Sequence, residues 1–357
     1  MTIEEIAAQV QRNCRISDAR AWGYYSICGL LLRLRELFKW EQGLEPWSAV
    51  DKEAVMSWIG EREAEWEALE DNELEPIRIG GKDFDPFDTE GINSLLDAEG
   101  FHYGAGHGMG HKPLFVLGKT LSHTSEDGAE IFLIGKELVR DLSPVPAMNR
   151  DGVVIARRDP MKWYLWNRLE DAGMKKDSSL AALAVAQDGR ELESLLSDPA
   201  SAEAYFDELT VRETDVAIHH EIGEIREEQR MDGAWGRALG HSCGKKEELL
   251  ARGLKDVLAD TGEGGRLAYI ISRRSAASLG LYAAFSEGLH KKLFPGLGEV
   301  FRGLVEDGDW EKVEGGRLAA HERLRTFVDP MLSLSDEKLT AEERTKCADA
   351  LEDRLMG

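Results

Sequence analysis

Cysteine is scarce in this sequence. Its four residues, Cys14, Cys28, Cys243 and Cys347, form no CxxC pair and no zinc-finger spacing. Neither a disulfide framework nor a thiolate metal site is therefore signalled. Long apolar runs are lacking as well. The most apolar N-terminal stretch, residues 26–40 (SICGLLLRLRELFKW), is broken by Arg33, Arg35, Glu36 and Lys39 and is too short and too charged to cross a bilayer. The opening MTIEEIAAQVQRN has no basic n-region and no apolar h-region, so no signal peptide is expected and a cytoplasmic location is. Positive charge is in deficit: 44 Lys and Arg stand against 67 Asp and Glu, a formal net charge of -23. Such a surface repels phosphate backbones and anionic headgroups, so neither a nucleic acid nor a membrane is the expected partner.

What is present reads as a globular chain of 357 residues, 42% hydrophobic and 31% charged, long enough to bury a sizeable core. Residues 1–75 read as a helical region. Ile27, Leu30, Leu31, Leu34, Leu37 and Phe38 recur at helical spacing. Ser48 is the candidate cap of the next helix, with Asp51 and Glu53 in its first turns. This region holds five of the nine tryptophans, Trp22, Trp40, Trp47, Trp58 and Trp66. Such a cluster reads first as core. The sharper expectation is a protein partner or homo-oligomer docked on these helices, since tryptophan is enriched at interface hot spots.

Residues 76–160 change character. The stretch from Pro76 to Gly100 reads as loop, and the glycine–histidine segment beyond it as a second loop. The runs 113–122 and 130–138 flank Ser125-Glu126-Asp127-Gly128 and read as a hairpin, with Val153–Ala156 as a third strand. Residues 161–357 return to helical periodicity, with helices expected over 203–231, 245–259, 266–293, 299–305, 316–328 and 340–355. The expected fold is mainly α with a small inserted antiparallel β-sheet (α+β) and a multi-helix, bundle-like core. The three regions are expected to form separate parts or one compact unit.

Seven of the nine histidines fall in two short windows: His102, His107, His111 and His123, then His219, His220 and His241. Imidazole is the commonest transition-metal ligand. In the first window, FHYGAGHGMGHKP, the glycines argue against a helix that would align His107 with His111. The order also fails the phosphate-loop and dinucleotide patterns. Backbone amides with Lys112 offer an anion nest, to which Arg157 and Arg158 could add. Internal ion pairing is the blander expectation for these arginines on so acidic a chain. In the second window, HHEIGE, His220 and Glu224 are i,i+4 neighbours on one helix and can reach one cation. Glu224 stands where a zincin His-Glu-x-x-His carries its second histidine, and the Glu-x-x-His order is missing from this window. On a helical wheel, Val211, Ile218, Ile222 and Ile225 form the apolar stripe, while Glu213, His220 and Glu224 lie opposite it. That polar side reads either as a solvated face or as the wall of a cleft. Cys243, two residues from His241, reads as a small apolar filler.

The leading expectation is a metal-binding protein, with metalloenzyme chemistry within reach. Its ligands would be His107, His111, His220 and Glu224, with Glu221 as general base and zinc, iron or manganese as the ion. The alternatives are a non-enzymatic helical scaffold or accessory subunit, and an anion or nucleotide site at the glycine-rich loop using Lys112, Arg157 and Arg158.

Overall fold

A computed structural model describes residues 2–175, 179–240, 244–335 and 339–356. The fold is mixed α+β and mainly helical. The chain divides into two compact units, Met1–Asn167 and Arg168–Gly357. No helix among the described residues is long and apolar enough to cross a membrane.

The first unit is built on a sheet. Helix Ile3–Ala21 opens with a capping box in which Thr2 and Glu5 satisfy each other's backbone N–H. Its buried stripe, Ile6, Val10 and Cys14, packs on Tyr103, Phe115 and Leu117 of the sheet. Asn13 on the same helix bonds both backbone groups of Glu75, each at 2.8 Å, so the compositional change near residue 75 lies inside this unit. Helices Ile27–Glu41 and Lys52–Leu69 follow. Asp51, not Ser48, caps the second of them, accepting from the Ala54 N–H at 2.8 Å; its carboxylate sits three residues before that donor, where an N-cap must be.

The expected loop from Pro76 contains ordered elements. Strands β1 (Ile77–Ile79) and β2 (Lys82–Phe84) form a hairpin. Gly80 and Gly81 both take positive φ, 60° and 82°, which its two-residue turn requires. Helix Thr89–Leu96 comes next. The main sheet contains β3 (Phe101–His107), β4 (Pro113–Glu126), β5 (Ala129–Glu137), β6 (Ala147–Arg150) and β7 (Val153–Arg157), in the order β3-β4-β5-β7-β6. The glycine–histidine segment, expected as loop, is thus largely the buried strand β3. Its glycines serve close packing: a Cβ on Gly104 would fall 2.3 Å from Ile155 Cδ1 of β7. The sheet is also not all antiparallel, because β7 runs parallel to β5. A β-strand of period two looks the same in either direction, so the sequence pattern could not distinguish them.

The second unit is helical. Helix Glu203–Arg230 matches the long helix expected there, and Lys245–Thr261 follows it. The span 266–293 is not one helix but three, Arg266–Arg273, Ala276–Phe285 and Gly288–Leu293. Arg274 closes the first in the left-handed region at φ 48°, and the Ser275 side chain caps the second. Helices Leu297–Asp307, Trp310–Arg325 and Ala341–Met356 complete the longer elements.

Candidate metal centre

The site begins with a glycine. Gly223 lies in the long helix Glu203–Arg230, and a Cβ there would sit 2.4 Å from the Ala259 carbonyl oxygen of helix Lys245–Thr261. Only a residue without a side chain lets the two backbones approach this closely. The crossing brings together two i,i+4 pairs, His220 and Glu224 on one helix and Asp256 and Asp260 on the other. The polar side of the long helix is therefore covered rather than solvated: His220 and Glu224 are half-buried and Glu213 is buried.

His220 Nδ1 lies 2.7 Å from Asp260 Oδ1, and its Nε2 lies 3.5 Å from Glu224 Oε1. Asp260 has no exposed surface. Its second oxygen accepts from the Tyr282 hydroxyl at 2.7 Å and from Arg266 at 3.2 Å. Asp256 Oδ2 is 3.2 Å from His290 Nε2. Lys255 reaches Glu224 Oε2 at 3.2 Å and Glu228 at 3.8 Å. One ligand atom each from His220, Glu224 and Asp256 can be chosen so that all three lie within 4.8 Å of one another.

The electrostatics follow from burial and partners. Burial alone would lower His220, but Asp260 and Glu224 outweigh it and hold the ring well above its ordinary value. Burial would raise Asp260, yet Arg266, His220 and Tyr282 bring it down to about 2. Glu224 is held well below the usual carboxylate range against burial, by His220 and Lys255. Asp256 is pushed up, first by burial and then by Glu224. The cluster is thus a carboxylate-rich pocket around one imidazole whose Nδ1 is fixed by a carboxylate. Such a partner sets the tautomer and orientation of a metal-binding histidine.

Of the residues singled out in the sequence, His220 and Glu224 are brought together. Asp256, Asp260 and His290 were missed: the helix expected over 245–259 stops one residue short of Asp260, whereas the observed helix runs to Thr261 and sets Asp256 and Asp260 at i,i+4 spacing. Glu221 is buried, one residue and about 100° around the helix from His220. His219 stacks on Tyr269 with ring centroids 3.8 Å apart. His241 and Cys243 lie outside the described residues.

His107 and His111 belong to the first unit. His107 ends β3 and stacks on Phe87 at 4.7 Å. His111 is exposed in the turn before β4, with φ 58°. Lys112 is buried between two carboxylates, 2.8 Å from Asp18 and 3.1 Å from Asp141. Burial would lower Lys112, but these carboxylates raise it, whereas burial pushes Asp18 up to about 6. Arg157 donates from Nε to Glu137 at 2.6 Å and from Nη1 to the Val145 carbonyl at 3.0 Å. The same carboxylate binds Arg140, whose guanidinium lies over Trp40 and Trp163 at 5.2 and 5.3 Å. The charges of Lys112 and Arg157 are thus spent inside the unit. Arg158 heads helix Arg158–Met174, with its Nε buried and unbonded.

Residues 5–157 match the N-terminal domain of a family of unknown function (DUF6866), and residues 162–354 match the C-terminal domain of the same family. No curated protein and no solved structure matches the chain. The chain belongs to the DUF6866 family.

Proposed function

We propose that this DUF6866 member binds one divalent transition metal in its second unit, through His220 Nε2, Glu224 and Asp256. The observation that carries the reading is the convergence of these three side chains across the Gly223–Ala259 crossing. Asp260 supports it by holding Nδ1 and leaving Nε2 to face the carboxylates. Negative charge is in excess there. Glu224, Glu228, Asp256 and Asp260 outnumber Lys255, Arg266 and the protonated His220, and a divalent ion that displaces the His220 Nε2 proton adds one further positive charge to that half-buried cluster. Mixed imidazole and carboxylate donors suit zinc, iron or manganese. Three protein ligands leave a coordination position for water or substrate, the arrangement a catalytic metal needs.

The test is elemental analysis of untagged protein, with calorimetric titration of Zn²⁺, Mn²⁺ and Fe²⁺ into chelator-treated protein. About one equivalent is expected, falling to a small fraction in Asp256→Asn and His220→Ala variants that keep the native circular dichroism. Absence of saturable binding by all three ions ends the proposal.

A second reading rests on a different observation. Trp22, Tyr24, Ile27 and Leu31 are exposed around the start of helix Ile27–Glu41, Ile27 by 80%. Clustered exposed apolar side chains mark interaction surfaces, which favours a protein partner or self-association through these helices. Light scattering of the protein and of its Ile27→Glu, Leu31→Glu variant tests this; a monomer in both cases removes self-association.

A further inference from the structure

The first unit contains a cavity of about 540 Å³ lined by its sheet and by helix Thr89–Leu96, within the size range of small-molecule sites. Its apolar wall is Phe132, Met148, Val153 and Ile155, which belong to or pack against a core cluster separate from the one under the N-terminal helix. The rings of His102, Phe132 and His123 stack at one side, with His102–Phe132 centroids 3.6 Å apart and His123–Phe132 centroids 4.0 Å apart. Helix Thr89–Leu96 and the turn after it supply the opposite rim.

The polar groups of this cavity are mostly acceptors. Glu90, Asp97, Glu130 and Asp151 line it with only one cation, Arg150. That guanidinium is already engaged, donating to the Ala105 carbonyl at 3.0 Å and lying 3.5 Å from Asp151. Asn93 is held by both backbone groups of Tyr103, each at 2.8 Å, one N–H donating to the carbonyl and the amide oxygen accepting from the backbone N–H. His102 Nδ1 faces Asp97 at 3.0 Å, and a ring that donates from Nδ1 presents Nε2 as an acceptor. A ligand completing these groups must bring positive charge and hydrogen-bond donors at one end and an apolar body for the inner wall.

We propose that this cavity binds a small amphipathic organic cation, a free primary amine on an aryl or alkyl body, with its ammonium among the rim carboxylates and its apolar part against Phe132 and Ile155. A carboxylate or phosphate ligand would meet like charge. A neutral alcohol of the same shape would leave the carboxylates uncompensated. The cavity lies in the first unit, and the assignment does not depend on the metal in the second.

The experiment is calorimetric titration of the full-length protein with 2-phenylethylamine, its neutral isostere 2-phenylethanol and its anionic counterpart 3-phenylpropanoate, at 50 and 300 mM salt. Saturable binding of the amine is expected, at least tenfold tighter than the alcohol and weaker at high salt, with no binding of the carboxylate. The exposed pair Glu130→Gln, Asp151→Asn should weaken the amine at least tenfold without changing the melting temperature. A cavity-narrowing Val153→Phe variant should weaken amine and alcohol alike. The proposal is overturned if no amine binding saturates, if alcohol and amine bind equally, or if the rim pair changes nothing. A lysine-bearing peptide that binds more tightly than the free amine also overturns it, in favour of a protein ligand.

Discussion

At the residue scale, Asp260 orders the proposed metal centre without being one of its proposed ligands. Its oxygens face His220 Nδ1, the Tyr282 hydroxyl and Arg266, so it fixes the imidazole in the orientation that turns Nε2 to Glu224. Replacing it by the isosteric amide removes the charge while preserving shape. Asp260→Asn is expected to weaken metal affinity about 10–100-fold, measured by competition with a chromophoric chelator; unchanged affinity would show that the ring is held by packing alone. His321 carries a separate prediction. Burial lowers it, helped by Arg230, Arg325 and Arg317, to about 4 from an ordinary 6.5. A histidine depressed in the folded state stabilises above its unfolded value and loses that contribution as pH falls through the folded one. Stability should therefore drop as pH falls from about 6.5 to 4. Urea unfolding at pH 7 and 4.5 should show a smaller drop in His321→Gln than in the parent.

Of the side chains that converge at the Gly223 crossing, His220 and Glu224 were legible in the sequence. His220 and Glu224 are four apart on a strongly helical segment, and that spacing alone puts them side by side. What covers them was not legible, because Asp256 and Asp260 sit 32 or more residues further on and nothing local encodes a helix crossing. The helical wheel identified the polar side but assumed water beyond it. The histidines of the first window misled for a related reason: glycines that read as a flexible loop are there so that β3 can approach β7.

At the scale of elements, the Gly223 crossing makes a direct test of how the two helices cooperate. Alanine at 223 gains about 1 kcal/mol in helix propensity. Its Cβ would nevertheless lie 2.4 Å from the Ala259 carbonyl oxygen, a backbone atom that cannot rotate away, and overpacking costs about 1–3 kcal/mol. Gly223→Ala is expected to lower the melting temperature despite the propensity gain and to weaken metal binding by spreading His220 from Asp256. A stabilised variant with normal affinity would mean that the helices have room to part. Element boundaries were hard to read even from caps: the cap of helix Lys52–Leu69 is Asp51, three residues past the expected Ser48. They failed at 266–293, where apolar periodicity runs through Arg274 and Ser275 although the backbone reverses there.

For the whole molecule, charge is the dominant long-range quantity. A net charge of -23 repels itself in the folded state, and added salt screens that repulsion over about 10 Å at 0.1 M. Exposed pairs such as Arg78–Asp83 pull the other way, but each contributes little. The melting temperature is therefore expected to rise between 10 and 300 mM sodium chloride. A fall over that range would mean that ion pairs outweigh the net repulsion. The mainly helical α+β class followed from periodicity.

The parallel pairing of β5 with β7 has a kinetic corollary. Strands β4 and β5 are joined by a tight turn at Asp127 and Gly128, with φ of 51° and 82°, and can pair as soon as that turn closes. Strand β7 must first bring residues 138–152 round to lie beside β5, and contacts that close longer loops form more slowly. Refolding of this unit should therefore be paced by the arrival of β7 with the hairpin already closed: Gly128→Ala should slow folding more than it accelerates unfolding, and stopped-flow chevrons in which it chiefly accelerates unfolding would show that the hairpin closes after β7 has docked.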